Sequence, residues 1–299
     1  IQHEPVFRAS GHLENFADPL VVCEGCKTAY RADKLIEEKL GHEVPEGASL
    51  EYFDEQLALL KLVCPKDKKP FGKTTKFNMM MKLGIGAQNA LPAYLRPETC
   101  QSIFLDFNRI WKSGRVKLPL GIAQVGKVFR NEIAPRQTLI RLREIMQMDC
   151  EIFFNPKKIN EVDNFSDVEN YELKLYLLKD KKTHSLSCKE AVSQNVVSGK
   201  LVAYYLARAQ QFFLSLHVPL EKFRFRELEK EARAFYAQET WDAEVETDLG
   251  WVELAACNYR TDYDLNAHSN ASKADLQVRE EGDAERFFPH VFELSMGVD

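Results

Sequence analysis

The stretch Gly121 to Phe154, GIAQVGKVFRNEIAPRQTLIRLREIMQMDCEIFF, constrains this chain more than any other. It reads as two strands joined by a polar turn, Glu132 to Thr138, that carries Pro135. Side chains of a strand alternate between its faces. In the second strand Arg141, Arg143, Ile145, Gln147, Asp149 and Glu151 therefore share one face, while Ile140, Leu142, Met146, Met148, Cys150 and Ile152 share the other. The same count on the first strand groups Gln124, Arg130 and Glu132, so pairing gathers three arginines and three or four acids on one surface. The plain reading is a solvated sheet face laced with weak ion pairs. The sharper one is a surface for a ligand that carries both signs of charge.

With 299 residues, 45% of them apolar, the chain has enough material for a sizeable core, in two domains or one large one. No run of eighteen apolar residues exists to span a bilayer, and the start IQHEPVFRASGH lacks the charged and apolar regions of a signal peptide. The expectation is a soluble cytoplasmic chain without a membrane partner, an organelle matrix being the other compartment left open. Seven cysteines, an odd number without a secretion signal, point to reduced thiols. A net charge of -5 weighs against a dedicated nucleic-acid binder but not against local patches, such as the lysines at 66, 68, 69, 73 and 76.

Cys23-Glu-Gly-Cys26 is followed forty residues on by Cys64-Pro-Lys-Asp67. Two C-x-x-C knuckles would close a thiolate tetrahedron around zinc, but here Asp67 stands where the fourth Cys belongs. A structural Zn2+ held by Cys23, Cys26, Cys64 and Asp67 and a metal-free knuckle both remain open at this point. Between the knuckles the pattern predicts amphipathic helices from Arg31 to Leu40, ending at Gly41, and from Ser49 to Val63. Arg96-Pro97-Glu98-Thr99 reads as the opening of a helix whose apolar face is Ile103, Phe104, Phe107, Ile110 and Trp111, with Gly114 past its end.

Asn155 to His184 reads as polar and peripheral, and Leu201 to Val218 as a core helix with Leu201, Tyr205, Ala209, Phe212, Phe213 and Leu216 on its face. Trp241 to Glu246 and Trp251 to Leu254 read as strands. Acids at alternate positions there, by themselves, would face water. His268 reads as a hydrogen-bonded structural histidine, because no nucleophile is spaced to use it.

Several of these segments together carry a likeness. Phe129-Arg130-Asn131-Glu132, a loop with Arg136, then Arg141 with Ile145 and Asp149 four and eight residues on, resembles motif 2 of the class II aminoacyl-tRNA synthetases. Ser-Gly-His at 10 to 12, the RPET tetrapeptide at 96 to 99, Arg224-Phe-Arg226-Glu227, Arg260-Thr-Asp-Tyr-Asp-Leu265 and Phe292-Glu-Leu-Ser-Met-Gly297 extend the likeness, in order, to the glycyl-tRNA synthetases of archaeal and eukaryotic type. Phe235, where that family has histidine, departs from the pattern, as do Ile145 (for Phe) and Asp149 (for Glu).

The resemblance implies an α+β class II catalytic domain, a mainly antiparallel sheet flanked by helices with a small cysteine-containing insertion. It places the start of the domain, after motif 1, at 1–20, the insertion at 21–76 and the core with motif 2 at 77–154. A peripheral helical insertion follows at 155–222, then core ending inside motif 3 at 223–299, with the anticodon-binding domain absent. It implies a homodimer that activates glycine with ATP and Mg2+ and transfers it to tRNA(Gly). Arg130 and Arg141 take the catalytic phosphate-binding roles, Glu132 and Ile145 the adenine, and Glu98, Asp149, Glu293, Ser295 and Arg260 the glycine. The other implication is a catalytically weak or inactive synthetase-like subunit that binds nucleic acid or a protein partner.

Overall fold

A computed structural model describes every residue except 43, 46, 134–141, 231, 232, 249, 283 and 299. Pro135, Arg136, Ile140 and Arg141, with residues 134–138 of the hairpin turn, lie outside the described residues. The chain divides into two compact units, residues 1–98 with 127–145 and residues 99–126 with 146–298, a division that cuts across the five segments expected from the sequence.

The first unit contains β1 (Gln2–His3), α1 (Glu4–Ala9), α2 (His12–Asn15), β2 (Ala17–Val22), β3 (Ala29–Arg31), α3 (Ala32–Leu40), α4 (Leu50–Leu59), β4 (Thr75–Asn78), β5 (Met81–Ile85) and β6 (Leu91–Leu95). These strands form two small antiparallel sheets, β1-β6-β5 and β3-β2-β4. Ile36, Phe53 and Leu57 of α3 and α4 bury against Val21 of β2. Helix α3 stops where expected: Gly41 takes a left-handed conformation, φ 74°, and its N–H closes on Glu37 O. Helix α4 starts on Ser49, whose hydroxyl accepts from the Tyr52 N–H, but ends at Leu59 rather than Val63, because Lys61 turns left-handed at φ 49°.

The second unit carries α5 (Cys100–Gly114), β7 (Leu120–Phe129), β8 (Glu144–Phe154), β9 (Glu172–Leu177), β10 (Lys182–Ser187), α6 (Cys188–Ser193), α7 (Lys200–Ser215), β11 (Phe223–Glu227), β12 (Glu239–Thr247), β13 (Gly250–Thr261), α8 (Tyr263–Ser272) and β14 (His290–Gly297). Its strands take the order β10-β9-β11-β12-β13-β14-β8-β7, with β9 and β11 parallel and the pairs from β11 through β8 antiparallel.

Both faces of β8 are covered. Ile152 and Phe154 pack with α7 in the larger core, while Phe153, one residue out of phase, packs with Phe104 and Phe107 of α5, Leu265 of α8 and Val291 of β14. Gln147, Asp149 and Glu151 share the Phe153 face and are buried. The solvated-face reading therefore fails: helices roof the polar face of this sheet.

Three expectations need correction. The RPET tetrapeptide precedes α5 instead of opening it, and Gly114 is the last residue of the helix rather than past its end: Arg115, at φ 48°, takes the left-handed cap position. The stretch 155–222 is neither peripheral nor only helical. Its strands β9 and β10 end the main sheet, with Leu173, Leu175 and Leu177 buried; this two-residue alternation is short and flanked by lysines, which hid it. Helix α7 turns Leu201, Tyr205, Ala209 and Phe213 to the core as expected and adds Val202, Ala203, Leu206, Ala207 and Gln210, whereas Phe212 and Leu216 are exposed. Small side chains at 203 and 207 let the helix approach closely on that side.

Candidate functional site

The second unit gathers buried polar clusters on the α5 face of the sheet. Strand register places Glu293 opposite Glu151, Ser295 opposite Asp149, and Asn258 opposite Glu293. Between Tyr259 and Thr261 the β13 register shifts, so Arg260 is the extra residue of a bulge, a device that re-aims a side chain. Its guanidinium donates to Asp264 of α8 at 2.8 and 2.9 Å and to Glu293 Oε1 at 2.7 Å, and stacks 3.6 Å over the Tyr236 ring. Burial works against the charge, but Asp264 and Glu293 outweigh it, so Arg260 stays a cation.

Asn258 Nδ2 donates to Glu293 Oε2 at 2.7 Å, so both oxygens of this carboxylate are held. Thr240 Oγ1 reaches Asn258 Oδ1 at 2.8 Å. On the other side, Gln101 Nε2 donates to Asp264 Oδ1 at 3.1 Å, and the amide oxygen of Gln101 accepts from His268 Nε2 at 2.7 Å. His268 is thus the structural histidine expected from the sequence.

Asp149 sits at the start of α5. Its Oδ2 accepts from the Thr99 N–H at 2.9 Å and the Thr99 hydroxyl at 2.6 Å, where the helix end favours an anion. Gln147 accepts from the same N–H at 3.1 Å and donates to Ser295 Oγ at 2.9 Å. Glu151 contrasts with its neighbours. It is fully buried, neither oxygen has a hydrogen-bond partner among the described residues, and a ligand atom each of Glu151, Glu293 and Cys100 lie within 4.8 Å of one another. Burial first, then the like charge of Glu293, push its carboxyl well above the usual range, which favours the neutral acid.

Two acids of β12 do not face water either, while Glu246 at its far end is exposed, as expected. Asp242 and Glu244 are buried, with Glu244 bound by Arg224 at 2.7 Å and Arg226 at 2.8 Å, and Asp242 by Arg226 at 3.3 Å. Burial and then Glu253 push Asp242 up to about 8, against the pull of Arg226.

In the first unit Glu98 Oε1 accepts from Nε2 of buried His12 at 3.0 Å, and His12 Nδ1 meets Ser10 Oγ at 2.7 Å. The Ser-Gly-His segment and RPET are therefore one cluster. Arg130 donates from Nε to Pro97 O at 3.2 Å and lies 5.5 Å over the Phe16 ring. Its backbone N–H pairs with Arg143 O, while the Arg143 guanidinium donates to Glu132 O at 3.1 and 3.3 Å, which fixes the mouth of the hairpin. Glu132 is buried and Ile145 half-buried. The ligand atoms of Cys23, Cys26, Cys64 and Asp67 also converge here, within 4.8 Å of one another.

Residues 87–298 match the tRNA synthetase class II core domain (G, H, P, S and T). The chain belongs to this class II core family. As in that core, the fold is α+β, a large mostly antiparallel sheet flanked by helices. The class II core chain is 44% identical over 283 residues to a glycine–tRNA ligase of Pyrococcus abyssi, covering 93% of this chain and 49% of that protein. It is 40% identical over 279 residues to one of Methanothrix thermoacetophila, covering 92% and 48%. The chain spans about half the length of the curated relatives it matches. Among solved structures, a Giardia lamblia prolyl-tRNA synthetase in complex with prolyl-adenylate aligns with a TM-score of 0.46 at 17% identity, over 73% of this chain and 34% of that one.

Of the residues singled out from the sequence of this class II core, Asp149, Glu293, Ser295 and Arg260 come together in the second unit. Glu98, Arg130, Glu132 and Ile145 lie in the first, and Arg141 is outside the described residues. Sequence reasoning gave no role to His12, Thr99, Gln101, Asn258 or Asp264. Alternation along β13 flags Asn258 beside Arg260, but Thr99 and Gln101 are joined to the second unit's network, and His12 to Glu98 in the first unit, only by tertiary folding.

Proposed function

We propose that this chain carries the activating centre of a glycine–tRNA ligase, which joins glycine to tRNA(Gly) using ATP. The observation that supports it best is the immobilised acid set of the second unit: Glu293 gripped by Arg260 and Asn258, Asp149 gripped by Thr99, and buried Glu151 in register with Glu293. Glycine offers an ammonium and a carboxylate and nothing else. Acids held this closely repel one another until an ammonium joins them, and a rigid surround rejects larger amino acids by size. Asp149, Glu293 and Ser295 are assigned to the ammonium, with Arg260 positioning Glu293. Glu98 keeps the same assignment on the likeness of its tetrapeptide.

Activation joins two anions. A carboxylate oxygen of glycine attacks the α-phosphorus of ATP, the bond to the bridging oxygen breaks, and pyrophosphate leaves with the electron pair. Arg130 is assigned to the α-phosphate and substrate carboxylate, Arg141 to the far phosphates, Glu132 to the adenine amino group and Ile145 to the face of the base. A guanidinium suits this work because its planar fork pairs two phosphate oxygens and stays charged. Positioning and charge carry the reaction without a side-chain nucleophile. Mg2+ bound with ATP would neutralise charge on the phosphate oxygens. In the second step a hydroxyl of the 3′-terminal ribose attacks the glycyl carbonyl and AMP leaves.

On this reading the protein acts as a cytoplasmic homodimer. No helix among the described residues is long and apolar enough to cross a membrane. The test is glycine-dependent exchange of pyrophosphate into ATP, with alanine and serine as controls. Exchange with glycine alone is the expected result. Silence from folded protein would overturn it in favour of an inactive synthetase-like subunit, the reading that Ile145 and Asp149, in place of Phe and Glu, would suit.

A further inference from the structure

The two cysteine segments of the first unit fold as copies of one another. In the first, the Cys23 N–H bonds to Thr28 O at 3.0 Å, the Lys27 N–H bonds back to Cys23 O at 3.1 Å, and Lys27 is left-handed at φ 58°. In the second, the Cys64 N–H bonds to Lys69 O at 2.9 Å, the Lys68 N–H bonds back to Cys64 O at 2.9 Å, and Lys68 is left-handed at φ 61°. Each is a tight knuckle that turns its first and fourth side chains to the same point. Asp67 occupies in the second knuckle the place that Cys26 occupies in the first.

The four ligand atoms converge with the spacing of a coordination shell. Cys26 Sγ lies 3.6 Å from Cys64 Sγ, and Cys23 Sγ lies 3.2 Å from Asp67 Oδ1. A zinc tetrahedron with ordinary bond lengths has sulfur–sulfur edges of about 3.8 Å and sulfur–oxygen edges of about 3.6 Å. Asp67 is held in place by the Lys69 N–H, which donates to its Oδ1 at 3.1 Å. A Cβ on Gly25 would stand 2.3 Å from Asp67 Oδ2, so the glycine of the first knuckle is what admits the carboxylate of the second. None of the seven cysteines is tied up in a disulfide. We infer that Cys23, Cys26, Cys64 and Asp67 bind one Zn2+, with the Asp67 carboxylate as its fourth ligand.

The site clamps β2 and the segment after α4 together, and the Cys23–Phe71 bridge continues the contact. Its role is structural, since four protein ligands leave no open position on the metal. The inference does not depend on the glycine reading.

The test is elemental analysis of the purified protein, followed by replacement of the metal with Co2+ and by chelator competition. One zinc per chain is expected, and the cobalt form should show thiolate-to-metal charge transfer with tetrahedral ligand-field bands. Asp67→Asn should release zinc at least tenfold more readily than the parent, and Asp67→Cys should hold it at least as tightly. Absence of stoichiometric metal from folded protein, or a cobalt spectrum without thiolate bands, would overturn the site. An Asp67→Asn variant with unchanged affinity would overturn the carboxylate as a ligand. Because metal content is read on the unaltered protein, a variant that fails to fold does not blunt the test.

Discussion

Glu151 on β8 stands directly opposite Glu293 on β14, and of the two only Glu293 is held by Arg260. Two like charges in register under a helical roof disfavour each other, and burial without a cationic grip pushes the Glu151 carboxyl up, toward its neutral form. Glu151→Gln, which mimics the neutral acid, should change stability by less than about 1 kcal/mol. Glu293→Ala strands part of the Arg260 charge in the core and should cost about 3–5 kcal/mol. Denaturant midpoints of the two variants decide the matter; equal losses would mean that Glu151 is ionised in the folded protein.

Asp242 gives a pH dependence with a definite sign. Its carboxyl sits near 4 in the unfolded chain and about 8 in the folded one. Between those values the folded protein keeps a proton that the unfolded chain has released, so stability falls as pH rises through the window and levels off above it. One such group contributes a slope of at most about 1.4 kcal/mol per pH unit. Asp242→Asn should flatten the slope, as read by chemical denaturation at several pH values between 4 and 9.

The hydroxyl of Thr99 is one of two Thr99 donors to Asp149. Thr99→Val keeps the shape of the side chain and removes one hydrogen bond to a charged acceptor, which is worth about 1.5–3 kcal/mol. The thermal midpoint should drop accordingly. If Asp149 meets the substrate ammonium, KM for glycine in the exchange assay should rise while KM for ATP stays put.

Ile145 offers a test of the proposed adenine assignment. An aromatic ring there would add stacking worth about 1 kcal/mol, so Ile145→Phe should tighten ATP binding about fivefold in a nucleotide titration. Unchanged affinity would remove Ile145 from the base-binding surface.

Much of this was legible in the sequence, and unevenly. The alternation of residues 145–152 gave the strand and put Gln147, Asp149 and Glu151 together, because a strand leaves a side chain only two directions to point. Whether that face met water or protein was not legible. The roof is α5 and α8, whose own apolar stripes do not say which side of the sheet they will cover. Arg260 was read as part of a ligand pocket; its bulge, which aims it into Asp264 and Glu293, depends on a register shift that no local pattern encodes. The matched knuckles lay between these cases. Their spacing was visible at once, but the equivalence of Asp67 and Cys26 rests on backbone hydrogen bonds that only the fold displays.

The double grip on Glu293 bears on how a ligand would be received. A glutamate free to rotate gives up side-chain entropy worth about 1.5–2 kcal/mol when it is ordered. Here that loss occurs during folding, before any ligand arrives. If Glu293 meets the ammonium as proposed, recognition proceeds against a template that is already set, and a poorly shaped amino acid would meet a carboxylate that cannot swing aside to accommodate it.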